Sequence, residues 1–150
     1  MANFTTINKP TDYFNTVLWT GNNAARSITG VGHAPDWVWI KDRNGTNAHA
    51  LFDSVRGGGK YLSTVGNGAE LNNPSSGYVS SFDSDGFSGV TGSSSYSNWN
   101  GSGNNYVGWN WKAGTTGSGT TTGSGTGKAY SYSVNTTAGF SITNYVGNGT

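Results

Sequence analysis

The chain has 150 residues, among them 25 Gly, 6 Trp, 8 Tyr, 6 Phe and no Cys; 10% are charged and the net charge is +1. That length suits one domain of ordinary size, the lack of cysteine excludes disulfide frameworks and thiolate metal sites, and the balanced charge leaves no electrostatic footprint for nucleic acid or acidic lipid. Disordered chains are rich in charge and poor in aromatics, so Gly, Ser, Thr and Asn interleaved with rings point instead to an all-β protein with a core of few, large side chains.

The opening stretch, MANFTTINKPTDYF, has neither a basic n-region nor an apolar run, so no signal peptide is expected. No apolar run approaches the ~20 residues of a membrane span. Synthesis in the cytoplasm without a leader is the expectation, with residues 1–13 as an N-terminal arm. Thr16 to Trp19 reads as a strand running into a turn at Gly21, Asn22 and Asn23. Gly30 and Gly32 break the local structure, and Pro35 marks a new start. From Trp37 to Lys41 the chain alternates, with Trp37, Trp39 and Lys41 on one side and Val38 and Ile40 on the other. Apolar residues at nearly every position there imply burial on both faces. Asn44-Gly45 is a hairpin-type turn.

Leu51 and Phe52 suit a short strand, after which Asp53 to Arg56 bends into Gly57, Gly58 and Gly59. Tyr61 and Leu62 resume extended structure, and 72–77 is a polar loop. Tyr78–Phe82 and Phe87–Val90 read as strands joined by Asp83-Ser84-Asp85-Gly86. Residues 91–105 form a loop with Tyr96 and Trp99 as its only large rings. YVGWNWKA, starting at Tyr106, is a further strand with Val107, Trp109 and Trp111 on one face. Residues 114–127 contain only Gly, Ser and Thr, a composition expected of a flexible linker.

Beyond it, period-two alternation returns, with Tyr130, Tyr132 and Val134 on one face and Phe140, Ile142 and Asn144 on another. Setting Phe140 on Phe14 places Tyr145 on Trp19, Gly147 on Gly21 and Asn148 on Asn22. The expected organisation is therefore an arm (1–13), a β-sandwich domain (14–113), a linker (114–127) and the start of a second similar module (128–150), the chain being a portion of a longer protein. Short strands, frequent turn signals and strands apolar on both sides fit an antiparallel two-sheet β-sandwich.

Asp83 and Asp85, at i and i+2 before Gly86, are the candidate for Ca²⁺, which takes clusters of hard oxygens. The same residues make an ordinary turn, in which Asp bonds to backbone and Gly takes positive φ. No Glu stands at the EF-hand distance, so the turn is adopted and no metal or other cofactor is assigned. Asp53 and Arg56 suit a bidentate pair. A sugar site uses such groups, but a tie across the bend is the reading taken, since a buried Arg must be paired. His33 and His49 are the only histidines and are read as structural or exposed. No Gly-x-Ser-x-Gly elbow follows an apolar strand, and the Gly-x-Gly spacings of 114–127 open no helix. The seven acids (Asp12, Asp36, Asp42, Asp53, Glu70, Asp83 and Asp85) stand in no catalytic context of the two-carboxylate kind, so no enzymatic activity is expected. Trp37, Trp39, Trp109 and Trp111 lie on strands and are read as structural, in the core or between subunits. Loop-borne Tyr96 and Trp99 are the candidates for an exposed platform touching glycan or a protein partner.

Four stretches together carry a family resemblance: INKPTDYFNTVLWTGN, APDWVWIKDR, LFDSVRGGGKYLST with SFDSDGF, and YVGWNWKAG. They resemble, in this order over residues 7–114, a repeated domain of structural and tail-fibre-like proteins of marine tailed bacteriophages, including phages of cyanobacteria and related ocean bacteria. The trailing YVGNGT resembles the opening of that family's next repeat; LNNPSSGY departs from its usual Thr/Ala-rich middle section. The resemblance implies a concanavalin-like jelly roll. It also implies a virion structural protein, of fibre, spike or capsid-decoration type, working by assembly and adhesion. Its partners would be other virion proteins, further copies of itself as a homo-oligomer, and host-surface glycan. The alternative is a free-standing, lectin-like carbohydrate-binding module.

Overall fold

The structure, a computed structural model, describes residues 7–93 and 98–148. After a 3₁₀ turn at Pro10–Asp12 come twelve strands: β1 Phe14–Thr20, β2 Arg26–Thr29, β3 Trp37–Asp42, β4 Ala50–Asp53, β5 Lys60–Ser63, β6 Leu71–Asn72, β7 Tyr78–Asp83, β8 Gly86–Val90, β9 Asn105–Trp111, β10 Thr115–Thr120, β11 Ala129–Asn135 and β12 Phe140–Tyr145. They form three sheets, ordered β1-β9-β3-β4-β5-β6, β2-β8-β7 and β10-β11-β12, and every pairing is antiparallel. Among the described residues there is no α-helix, and no helix is long and apolar enough to cross a membrane.

The alternation expected of the tryptophan strands holds. In β3, Val38 and Ile40 are fully buried while Trp37, Trp39 and Lys41 face the opposite side. In β9 the inward residues are Tyr106, Gly108 and Asn110, with Val107, Trp109 and Trp111 outward. The inward side chains of the six-stranded sheet meet those of β2-β8-β7 in one core that includes Val17, Trp19, Val38, Ile40, Phe52, Val79, Phe87 and Tyr106. Trp19 spans the two sheets, lying 5.8 Å edge-on to Phe87 and stacked 5.5 Å from Tyr106. Each such ring removes roughly 150–250 Å² from water, which offsets the modest aliphatic content of the chain.

Two expectations are corrected. First, the stretch expected to be a linker contains strand β10, which pairs along its whole length with β11. Glycine-rich composition alone would not order it; tyrosines opposite do. Gly117 faces Tyr132 and Gly119 faces Tyr130. A Cβ at Gly117 would stand 2.5 Å from the Tyr132 hydroxyl, and one at Gly119 would stand 2.7 Å from that of Tyr130. The rings thus lie across the space that missing side chains leave open, an aromatic cover for glycine in a strand. Second, two sheets become three, because residues 115–145 form a sheet of their own. That sheet docks on the outer face of the six-stranded sheet, where Phe140 lies 6.1 Å from both Trp37 and Trp111. Ile142 is buried, and the Gly114 amide donates to the buried Ser133 hydroxyl at 3.0 Å.

Candidate contact surface

The outer face of the six-stranded sheet is set by register. Trp37 stands opposite Trp111, and Trp39 opposite Trp109. On the other side of β9, Phe14 pairs with Trp111, Thr16 with Trp109 and Leu18 with Val107. Antiparallel pairing therefore places four tryptophans and Phe14 in two adjacent rows on one side of the sheet. The first row, Phe14–Trp111–Trp37, lies beneath Phe140, with Phe14 4.7 Å from Trp111. In the second row Trp39 and Trp109 are half-buried, as Trp37 and Trp111 are. Trp39 and Trp109 lie 5.3 Å apart at 47°. The Trp39 indole donates to the Thr64 hydroxyl at 3.1 Å, and its ring sits 6.0 Å from His49. Leu18 beside them is 63% exposed. Trp37, Trp39, Trp109 and Trp111 thus lie on this outer face rather than in the central core.

Trp99 is corrected. It is fully buried, and its indole N–H donates to the Val90 carbonyl at 3.1 Å. Its own carbonyl accepts the Trp19 indole N–H at 3.0 Å. Gly89 makes room for it, since a Cβ there would stand 2.6 Å from the ring. A residue sealed in this way presents no face to a glycan. Tyr96, its expected companion, lies outside the described residues.

The remaining candidates resolve into structural ties. Arg56 Nε donates to Asp53 at 2.6 Å in a nearly solvent-free site, and Arg56 Nη1 reaches Glu70 at 3.2 Å. This pair holds the bend before the three glycines. Asp83 accepts the hydroxyls of Ser81 and Ser88. Asp85 accepts the amides of Gly32 at 2.6 Å and Gly30 at 3.1 Å, both of which adopt positive φ. Those two amides, Gly32 first, hold the Asp85 carboxyl below its usual range. The two carboxylates are therefore directed at different donors, as in a turn. Among the described residues no group of three or more His, Cys, Asp or Glu is placed to hold a metal ion.

Two ties were not singled out from sequence. Asp42 is fully buried and accepts Asn44 N at 3.1 Å, Asn47 Nδ2 at 2.6 Å and Asn104 Nδ2 at 2.8 Å. Asp36 accepts Ser54 Oγ and Ala113 N, locking the end of the sheet from which β10 departs. The only advance signal is an Asp at each end of the WVWIK run. His33 is buried with Nδ1 donating to the Thr11 carbonyl at 3.0 Å; burial pushes its imidazole below the ordinary value, against that hydrogen bond.

Residues 9–150 match the family described as Domain of unknown function (DUF7483), and the chain belongs to that family. No curated protein and no solved structure matches it.

Proposed function

We propose that this protein is a non-catalytic structural component of a tailed-phage particle, a fibre, spike or capsid decoration on a concanavalin-like jelly-roll sandwich, working by assembly and adhesion. The observation that carries this reading is the tryptophan face of the six-stranded sheet, with Leu18 exposed at its edge. Half-buried Trp39 and Trp109 and the 63% exposed Leu18 lie beside the row that Phe140 of β12 contacts. A contiguous apolar patch on an otherwise polar surface marks a contact site, and aromatic residues dominate the energy of such contacts. The family resemblance of the four quoted stretches supplies the particle. The acids support a role without chemistry, since Asp36, Asp42, Asp53 and Asp85 are all engaged in holding loops and sheet ends.

The partners of this face are other virion proteins and further copies of the chain, which is made in the host cytoplasm and resides in the particle. The test is the mass of the full chain by light scattering, for wild type and Leu18→Asp. A specific interface buries about 1,200 Å² or more in total, and a charge at its centre disrupts it. A wild-type oligomer that Leu18→Asp converts to monomer supports the reading. A wild type that is monomeric and that does not bind to purified particle proteins overturns it. The lectin-like reading is favoured by a separate observation, the two near-parallel tyrosine rings on β11.

A further inference from the structure

The face of the β10-β11-β12 sheet turned away from the tryptophans carries Tyr130, Tyr132 and Val134 on β11. Register adds Thr143 and Tyr145 from β12, and Gly117 and Gly119 from β10. The Tyr130 and Tyr132 rings lie 6.3 Å apart with their planes within 20°. Side chains at i and i+2 on a strand stand about 6.6 Å apart along it, so these rings sit side by side rather than one upon the other. Each lies over a glycine of β10, close enough that a Cβ would collide with it. One side of each ring is therefore turned to backbone, and both residues are half-exposed. Such a pair is a flat apolar shelf with two phenol edges. Its pitch is of the order of one sugar residue in a linear chain.

At the β10–β11 hairpin end, the shelf runs into an open hollow of about 840 Å³ between the loop after β10 and the end of β12. Thr121, Ser124, Thr126 and Thr143 line it with hydroxyls, Asn148 with an amide, and Tyr145, 71% exposed, with a third ring. Among the described residues Lys128 is the only charged one at its wall.

We propose that Tyr130 and Tyr132 form a platform for consecutive rings of a neutral glycan chain, and that the hollow beside Tyr145 takes the next residue of that chain. A pyranose presents an apolar C–H face and a rim of hydroxyls; the shelf matches the first and the Ser, Thr and Asn groups match the second. Single-stranded nucleic acid also stacks on rings, but it requires a positively charged groove along its backbone, and one lysine is not such a groove. The inference rests on the adhesive reading above and names its ligand class.

The test is calorimetric titration of the full chain with cellohexaose, chitohexaose and bacterial O-polysaccharide, and with a single-stranded oligothymidine as contrast. Saturable binding to at least one glycan is expected. Each lost ring should weaken it about tenfold, on the scale of base–aromatic stacking. Tyr130→Ala and Tyr132→Ala should therefore weaken binding, while Tyr130→Phe and Tyr132→Phe, which keep the rings, should bind close to wild type. If an alanine variant loses the β10 pairing, Gly119→Val provides the second route. It displaces the Tyr130 ring without deleting it, and should weaken binding while the circular dichroism of the sheet persists. No binding to any of the three glycans, glycan binding unchanged by the alanine variants, or tighter binding to the oligothymidine each overturns the proposal. The assembly reading is separable, because it stands on the mass of wild type and Leu18→Asp, which the tyrosine variants should leave unchanged.

Discussion

Trp99 separates a core reading from a surface one, and its removal has a calculable effect. The side chain is fully buried, its N–H is bonded to the Val90 carbonyl, and its backbone carbonyl holds the indole of Trp19. Deleting a buried Trp to Ala costs about 3–5 kcal/mol through lost transfer energy and the cavity left behind. The abandoned Val90 carbonyl adds about 1–3 kcal/mol if water does not reach it. A domain of this size has a total stability of about 5–15 kcal/mol, so Trp99→Ala is expected at the edge of unfolding. Trp99→Phe is the sharper probe. It keeps a six-membered ring against Gly89, loses the pyrrole half and the N–H, and should cost about 2–3 kcal/mol. Thermal melting followed by far-ultraviolet circular dichroism should then show a midpoint lowered by about 4–10 °C. A Trp99→Phe protein melting within about 1 °C of wild type would place this ring on the surface and dissolve the argument.

Arg56→Ala leaves Asp53 charged and nearly solvent-free, so urea unfolding should show a loss of about 3–5 kcal/mol; adding Asp53→Asn should recover part of it. Gly117→Val puts a side chain where the Tyr132 ring lies, and its near-ultraviolet tyrosine circular dichroism should fall while the far-ultraviolet spectrum persists. His33 is held below its ordinary value of 6.5 by burial. The unfolded chain therefore binds the proton first, and stability present above pH 6.5 should decline as pH falls toward the folded value. His33→Gln should flatten the melting temperature across that window. Asp85, held below 3.8 chiefly by the Gly32 and Gly30 amides, contributes stability that persists above pH 3.8 and is lost as pH falls through its folded value; Asp85→Asn should reduce the additional acid loss in that lower range.

The strands that alternate strongly were legible because burial on two faces leaves a signature in every residue. Trp37 to Lys41 and the run from Tyr106 were placed with the correct side chains on each face. Three strands escaped notice for three reasons. In β2 only Ile28 is buried, so four residues carry no pattern. In β6 two exposed residues carry none. In β10 the information lies elsewhere, in Tyr130 and Tyr132, whose rings occupy the space over its glycines. The burial of Trp99 is hidden from the sequence for a related reason. Its neighbours in sequence are Asn98 and Asn100, and a loop composition suggests solvent. What buries it is the absence of side chains at Gly77 and Gly89, strands away in the chain. Glycine records a close approach, yet one sequence does not say what approaches. The contact surface is half legible for the same reason: the tryptophans on one side of β3 and β9 are visible, but not that Phe140 of β12 packs against Trp37 and Trp111.

Charge is scarce in this molecule, and most of what there is serves the fold. Of the eight basic and seven acidic residues, Arg56, Lys60, Asp53 and Glu70 form one cluster at the β4–β5 bend. Lys9 pairs with Asp12, and Asp36, Asp42 and Asp85 are committed to amides and hydroxyls. On the proposed reading, what the outer faces offer a partner is mostly rings and hydroxyls, with Lys41 and Lys128 at their edges: Trp39, Trp109 and Leu18 on one side, Tyr130 and Tyr132 on the other. Attraction between exposed charges fades beyond a Debye length, about 8 Å at physiological ionic strength and about 3 Å in 1 M salt. Burial of apolar area and ring stacking carry no such dependence, and strongly excluded salts reinforce burial. Surfaces of this make should hold their partners in concentrated salt as well as in dilute buffer, without the fast steered encounter that charge provides. Each contact is also small, so strong attachment must come from repetition, in which every further copy engages at the high effective concentration set by the first. If the proposed adhesive role holds, a weak, salt-tolerant surface of this kind is of most use on an assembly that presents many copies together.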